Sequence, residues 1–388
     1  MYINFWYPIV IGEELEAGKP EKVKVLGVNL VAFRDSKGNA NVISDTCCHR
    51  GGSLGGAWAN LPTIPRIVDD TIVCPYHGWE FGGDGKCKNI PSLGYGAKVP
   101  DRAKVDAYPV QEKYGIVFAF LGDLPEEERP PLLDIEEYGT EEWRTNSILA
   151  FEVPFNFERS VENGLDPSHN EFVHPTHGFQ GTNRDTYKVN EMAAEDHRQG
   201  WGFWFMHTFD SPALPTDTDP TSTTAGGGTH GPNTLITHIN ITPETGFRQY
   251  FFEQPIDEMR TKIFFVNNRN FLMDPNMDEP IHARNLIVAQ QDIDILTDVY
   301  PTVTPFVVKE EVIVPADVPI VAYRDWLAKF DAAGWRIDIK EFNENNGKGK
   351  AYAIPGPGRN ESKNYPIESI PLIEASDDAD PKMRLRTG

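Results

Sequence analysis

DTCCHRGGSLGGAW, residues 45–58, and CPYHGWEFGGDGKC, residues 74–87, together decide how the first third of this chain folds. Cys47 and His49 form a C-x-H pair, and Cys74 and His77 form a C-x-x-H pair, so two loops each offer one thiolate and one imidazole. Gly51, Gly52, Gly78, Gly82 and Gly83 permit close backbone approach between them. Two Cys and two His also make a tetrahedral zinc set. A [2Fe–2S] centre with both thiolates on one iron and both imidazoles on the other needs one Cys and one His from each of two facing loops. The spacing fits that arrangement better than a zinc finger.

Bulk composition narrows the setting. With 388 residues, 39% of them hydrophobic, the chain is long enough for two domains with cores of their own, and its 33 Gly and 31 Pro point to many turns and much strand. A formal charge of −22 argues against nucleic acid or an anionic membrane as partner, because both repel such a surface. The N-terminal apolar run MYINFWYPIVIG is too short to span a bilayer, and no basic residue precedes it as in a signal peptide. The expected location is therefore the cytoplasm. There, four cysteines are metal ligands or inert thiols rather than a disulfide framework, and Cys48 and Cys87 read as free thiols.

The first third reads as short strands with punctuated turns: KVKVLGVNLVAF, ANVIS, and the pair around Tyr114 and Gly115 in AYPVQEKYGIVFAFLG. The acidic, proline-rich GDLPEEERPPLLDIEEYG marks a boundary, giving expected domains of 1–135 and 136–388. Beyond it, TLITHINIT, GFRQYFFEQP and TKIFFVNN read as strands. EPIHARNLIVAQQDIDILTDVY and DVPIVAYRDWLAKFDAAGW repeat apolar residues three and four apart and read as helices.

A second constellation lies in VENGLDPSHNEFVH, residues 161–174, which supplies His169 and His174 with Asp166 three residues earlier. Two histidines and one carboxylate on one face of an iron are the facial triad of non-haem Fe(II) oxygenases, with positions left open for O₂ and substrate. The helical segment NLIVAQQDIDIL offers Asp292 and Asp294 for the remaining position. His177, His197, His207, His230, His238 and His282 lack ligand spacing; His207 and His238 sit in apolar strands and are candidates for a pocket wall. Trp201, Phe203, Trp204, Phe205 and Met206 read first as sheet core and second as the wall of an apolar or aromatic substrate site.

CCHRGG and CPYHGWEF resemble the two cluster-binding boxes of Rieske-type non-haem iron oxygenases, and D-x-x-H-x-x-x-x-H from Asp166 to His174 resembles their iron motif. The likeness runs through most of the chain, from FWYPIV to the Asp292 helix; its one departure is the longer interval between His49 and Cys74, made by ANLPTIPRIVDD. The resemblance implies an α+β protein: an N-terminal all-β Rieske domain, then a helix-grip catalytic domain in which an antiparallel sheet surrounds a long helix. It implies a [2Fe–2S] cluster on Cys47, His49, Cys74 and His77, and mononuclear Fe(II) on His169, His174 and Asp292, with O₂ as co-substrate. Asp292, following Gln291, is selected over Asp294 on the same ground. Asp166 is then expected to bridge His169 to His77 of a neighbouring subunit within a homotrimer. Electrons come from a separate ferredoxin or flavin reductase supplied by NAD(P)H, with Arg50, Lys86 and Lys88 as a local basic patch for it. The expected function is a terminal oxygenase that hydroxylates or demethylates an aromatic or heterocyclic substrate. The alternatives are a ring cis-dihydroxylating dioxygenase and, from another class, a Rieske electron-transfer protein with a non-catalytic ligand-binding domain.

Overall fold

The computed structural model describes residues 1–58, 65–174, 187–208, 224–305 and 310–376. Two compact units emerge, one of Met1–Pro131 with Gly334–Ala375, the other built on Leu132–Ala333. The first cut lies close to the expected 135/136 boundary. The second differs from expectation, because residues 334–375 belong with the N-terminal unit.

That unit carries three small antiparallel sheets. One joins Phe5–Ile11, Ile116–Leu121 and Val110–Lys113; another runs Glu21–Val25, Val28–Arg34, Ala40–Ser44 and Ala107–Tyr108; the third runs Ile67–Val68, Thr71–Val73, Glu80–Gly82 and Cys87–Asn89. Tight reversals make this possible. Leu26 and Gly27, with φ of 53° and 83°, join the first two strands of the second sheet, and Tyr114 and Gly115, at 58° and 75°, join Val110–Lys113 to Ile116–Leu121. Positive φ at both central positions gives the hairpin turn whose twist suits paired strands. Val31, Phe33, Ile43, Leu54, Ile72 and Phe81 form a buried core beneath the two metal-ligand loops.

The C-terminal return buries Ile337, Phe342, Tyr352, Ile354 and Ile370 and is also fixed by polar groups. Arg359 makes a forked pair with Asp106 at 2.7 Å on each nitrogen, Asp106 also accepts from the amide of Gly356 at 2.9 Å, and the Tyr108 hydroxyl donates to the carbonyl of Ile354 at 2.8 Å. A forked guanidinium–carboxylate contact fixes orientation as well as distance.

The second unit is an eight-stranded antiparallel sheet. Its order is Arg144–Thr145, Arg260–Arg269, Gly246–Asp257, Thr234–Asn240, Thr224–Thr229, Phe203–Thr208 and Ala194–Asp196, and Leu149–Val153 also pairs with Arg260–Arg269. The helices that matter are α1 (Phe157–Leu165), α2 (Asn170–Val173), α3 (Asp278–Leu296) and α4 (Val318–Ala332). This is the sheet-and-long-helix domain expected from the sequence. The side chain of Asn156 caps α1 by accepting from the amide of Glu158 at 2.9 Å. Pro167 excludes the helical conformation from the residue before it, and Asp166 is indeed extended, with ψ of 112°. Asp278 in the first turn of α3 accepts from Arg269 at 2.6 Å and from Arg144 at 2.8 Å, which ties that helix to the sheet. On α1, Glu162 accepts from Nε and Nη2 of Arg324 on α4, at 2.6 and 2.9 Å. These links hold α1, which leads into the segment bearing Asp166, His169 and His174, and α3, which carries Asp292.

Candidate metal centres

The two loops of the N-terminal unit close on themselves in the same way. The amide of Gly51 donates to Cys47 at 2.9 Å and the amide of Cys47 to Gly52 at 2.8 Å; the amide of Gly78 donates to Cys74 at 2.9 Å and the amide of Cys74 to Trp79 at 2.8 Å. Gly51 and Gly78 occupy equivalent left-handed positions, φ 70° and 72°, which explains why both boxes need glycine four residues after the cysteine. Asp45 braces the first loop, accepting from Ser53 and from the amide of Gly55, both at 2.6 Å.

Across the two loops the candidate ligands meet in two pairs, thiol with thiol and imidazole with imidazole. Cys47 and Cys74 are buried reduced thiols that hydrogen-bond to each other, and that contact with burial pushes the Cys74 thiol upward. The His49 and His77 rings lie 4.6 Å apart, and His49 stacks on Trp79 at 4.4 Å. The Nδ1 of His49 is buried without a hydrogen-bond partner among the described residues. An orphaned imidazole nitrogen beside two apposed thiols suits an iron–sulfur cluster that accepts two sulfurs and two nitrogens. Cys48 and Cys87 are unpaired in any disulfide, as the sequence suggested. Around these loops Arg50 and Lys86 are exposed, but Lys88 is ion-paired to Asp84 at 2.6 Å.

In the second unit the extended Asp166 turns its carbonyl oxygen toward Nδ1 of His169 at 2.5 Å, while its carboxylate accepts from the amide of Ser168 at 2.7 Å. The contact to His169 is therefore made by the backbone of Asp166, not by the side chain that the sequence reading had assigned to it. Nδ1 of His174 faces the Gln291 carbonyl oxygen at 3.0 Å. Because both acceptors demand a proton on Nδ1, both Nε2 atoms present lone pairs. Those two Nε2 atoms stand 3.2 Å apart, and Asp292 Oδ1 lies 3.2 Å from that of His174 and 3.7 Å from that of His169. Two lone pairs and a carboxylate oxygen brought together call for a cation. Without one, burial lowers the basicity of His169; at His174 burial acts the same way, but Asp292 outweighs it and raises the value. The group forms a donor set of one oxygen and two nitrogens, all within 4.8 Å of one another.

Asp294 is exposed and accepts from Gln290 on the same helix at 2.7 Å, so it is Asp292 that stands with the histidines. Two supporting residues escaped the sequence reading. Gln291 orients His174, and Asn163 on α1 donates to Asp292 at 3.0 Å. Asn163 lies three residues before Asp166, a helical spacing that offered the signal. Of the remaining histidines, His207 lines the cavity beside the centre, whereas His238 packs between Trp204 and Tyr250 away from it; His177 lies outside the described residues.

That cavity has a volume of about 390 Å³ and opens between α1, α3 and one face of the sheet. Alternation along Gly246–Asp257 sends Phe247, Gln249, Phe251 and Glu253 into it, with Phe151, Phe205 and Phe265 on neighbouring strands. Of the aromatic run 201–206, Phe205 reaches the cavity.

Residues 5–109 match the Rieske [2Fe-2S] domain, and residues 153–333 match the vanillate O-demethylase oxygenase C-terminal domain. The chain belongs to the Rieske non-haem iron oxygenase family. Among curated relatives, cholesterol 7-desaturase nvd 1 of Ciona intestinalis is 30% identical over 57% of this chain and 43% of its own length. The 3-chlorobenzoate-3,4-dioxygenase oxygenase subunit of Comamonas testosteroni is 32% identical over 44% of this chain and 37% of its own. The matched stretches thus span less than half the length of these relatives. Among solved structures, NdmA of Pseudomonas putida CBB5 with caffeine shares the fold, with a TM-score of 0.67 and 23% identity over 85% of this chain and 91% of that one. The Rieske domain carries a [2Fe–2S] cluster, and the family uses mononuclear iron and O₂. Among the described residues, no helix of this family member is long and apolar enough to cross a membrane.

Proposed function

We propose that this chain is the terminal oxygenase component of a Rieske oxygenase system, hydroxylating or demethylating an aromatic or heterocyclic substrate. In this reading Cys47, His49, Cys74 and His77 hold the cluster, and His169, His174 and Asp292 hold Fe(II). The cluster supplies electrons one at a time, and the iron supplies a centre at which O₂ is activated. The observation that carries the reading is the second constellation: two imidazole lone pairs and a carboxylate oxygen converging at the wall of an aromatic-lined cavity.

The chain's own residues prepare that site. Asp166 and Gln291 hold the tautomer and ring orientation of the two histidines, and Asn163 orients Asp292. The phenylalanines of the sheet exclude water and hold an apolar ring against the donor set. Asp166 keeps one carboxylate oxygen on the amide of Ser168, and we assign its carboxylate the bridge to a cluster histidine of a neighbouring subunit in a homotrimer. A separate ferredoxin or flavin reductase in the cytoplasm supplies the electrons.

The test is product analysis under ¹⁸O₂ with purified protein, a reductase, NADH and a panel of aromatic and methylated heterocyclic compounds. One labelled oxygen in a product, or demethylation with release of formaldehyde, is expected; two labelled oxygens would make the enzyme a dioxygenase. Metal analysis checks the sites independently. We expect about three irons per two sulfides in the loaded protein, falling to about two per two in Asp292→Asn with the cluster spectrum intact. If Asp292→Asn keeps the third iron, Asp292 is not a ligand.

A further inference from the structure

One group in the cavity has no part in holding either metal. Glu253 is 1% exposed, lines the cavity, and occupies the inward position after Phe251 on a strand whose neighbours present Leu235 and Ile263 to the same space, with Phe155 from the link before α1. Ser160 on α1 donates its hydroxyl to Oε1 at 2.8 Å. The other oxygen, Oε2, is buried with no partner among the described residues. Asn233 holds the backbone of Glu253, receiving its amide at 2.7 Å and donating to its carbonyl at 3.1 Å. Ser160 is one turn of α1 before Asn163, which bonds Asp292, so the carboxyl group sits along the same helix face as the iron site.

We propose that Glu253 is the polar anchor for substrate: a neutral carboxylic acid whose Oε2–H donates a hydrogen bond to a carbonyl oxygen or ring nitrogen of an otherwise apolar, ring-shaped substrate. The inference rests on the reading of this cavity as the substrate site. Leaving a polar atom buried and unpaired costs about 1–3 kcal/mol, a cost that a ligand acceptor removes and that a plain hydrocarbon does not. The same asymmetry makes the site selective. A site with an unsatisfied donor rejects the analogue that lacks the acceptor more strongly than an apolar wall rejects an added one. Burial pushes this carboxyl up to about 8, and among the described residues no charged group acts on it, so at neutral pH it carries its proton. A cationic substrate is disfavoured by that charge state.

The probes are 9-fluorenone and fluorene, which share a ring skeleton and differ by one carbonyl acceptor. Binding of each to the metal-loaded protein is measured by equilibrium dialysis, together with the infrared carbonyl band of bound fluorenone. In the wild type, fluorenone is expected to bind roughly tenfold more tightly than fluorene, with its carbonyl band shifted to lower frequency. Glu253→Gln, which retains a donor, should keep both effects. Glu253→Leu should lose both while still binding fluorene. A preference that survives in Glu253→Leu, or an unshifted band in the wild type, overturns the proposal. The band needs no variant, so a poorly folding Glu253→Leu leaves it testable. If fluorene binds and fluorenone gains nothing, the role of Glu253 alone falls; if neither binds, the cavity is not an apolar-ring site and both readings fall together.

Discussion

Replacing Glu253 with glutamine removes a titration from the middle of the catalytic domain, and its size follows from the structure. An ordinary glutamate releases its proton near 4.5, whereas burial raises Glu253 to about 8 even though the hydrogen bond from Ser160 pulls the other way. Below 4.5 the group is protonated whether the chain is folded or not, and stability is unaffected. Between 4.5 and about 8 the unfolded chain gains by ionising while the folded chain does not, so stability falls with rising pH by about 1.4 kcal/mol per pH unit. The full loss is about 5 kcal/mol, complete above pH 8, and Glu253→Gln abolishes it. Two assays read this out. Infrared difference spectra of wild type minus Glu253→Gln should show a protonated carboxylic acid band at pH 7 that disappears with a midpoint near 8. Denaturant midpoints of the catalytic unfolding step, measured from pH 5 to 8, should fall more steeply in the wild type than in the variant. The absence of an acid band at pH 7, together with parallel pH slopes, would refute the reasoning. That result would mean that water or an unseen partner solvates Oε2.

Other perturbations probe the frame around the iron site. Arg324→Met leaves Glu162 and Glu311 facing each other with Arg159 as the remaining cation, and should destabilise the catalytic unit by about 3–5 kcal/mol, read as a lowered urea midpoint; a change under about 1 kcal/mol would show that the buried pair is dispensable. In Asp166→Asn the amide oxygen still accepts from Ser168 and the backbone carbonyl still holds His169, so both metals should stay bound. Turnover should nonetheless drop by at least about 10- to 100-fold, and full activity in that variant would remove the bridging role.

Much of this protein is written in short-range sequence. The two cluster loops were legible because each is a closed turn in which Cys, His and a left-handed glycine lie within five residues, so spacing alone carries the geometry. His169 and His174 were legible for the same reason. Asp292 was selected over Asp294 by family likeness, and in the structure the helix turns the second carboxylate to solvent, since positions two apart on a helix point about 200° apart.

What tertiary structure decided is everything that depends on elements far apart in the chain. The return of residues 334–375 to the N-terminal unit rests on contacts between positions some 250 apart, such as Asp106 with Arg359, and no local pattern announces them. The same holds for the partners of the ligands: Gln291 and Asn163 are common polar residues until the fold sets one against His174 and the other against Asp292. Glu253 is the clearest case. In GFRQYFFEQP it reads as a strand residue among others, and its character comes from burial, a single hydroxyl on α1 and the aromatic walls around it. Residue type and spacing determine which atoms a chain can offer to a metal; desolvation, which belongs only to the packed structure, determines which of its acids keep their protons.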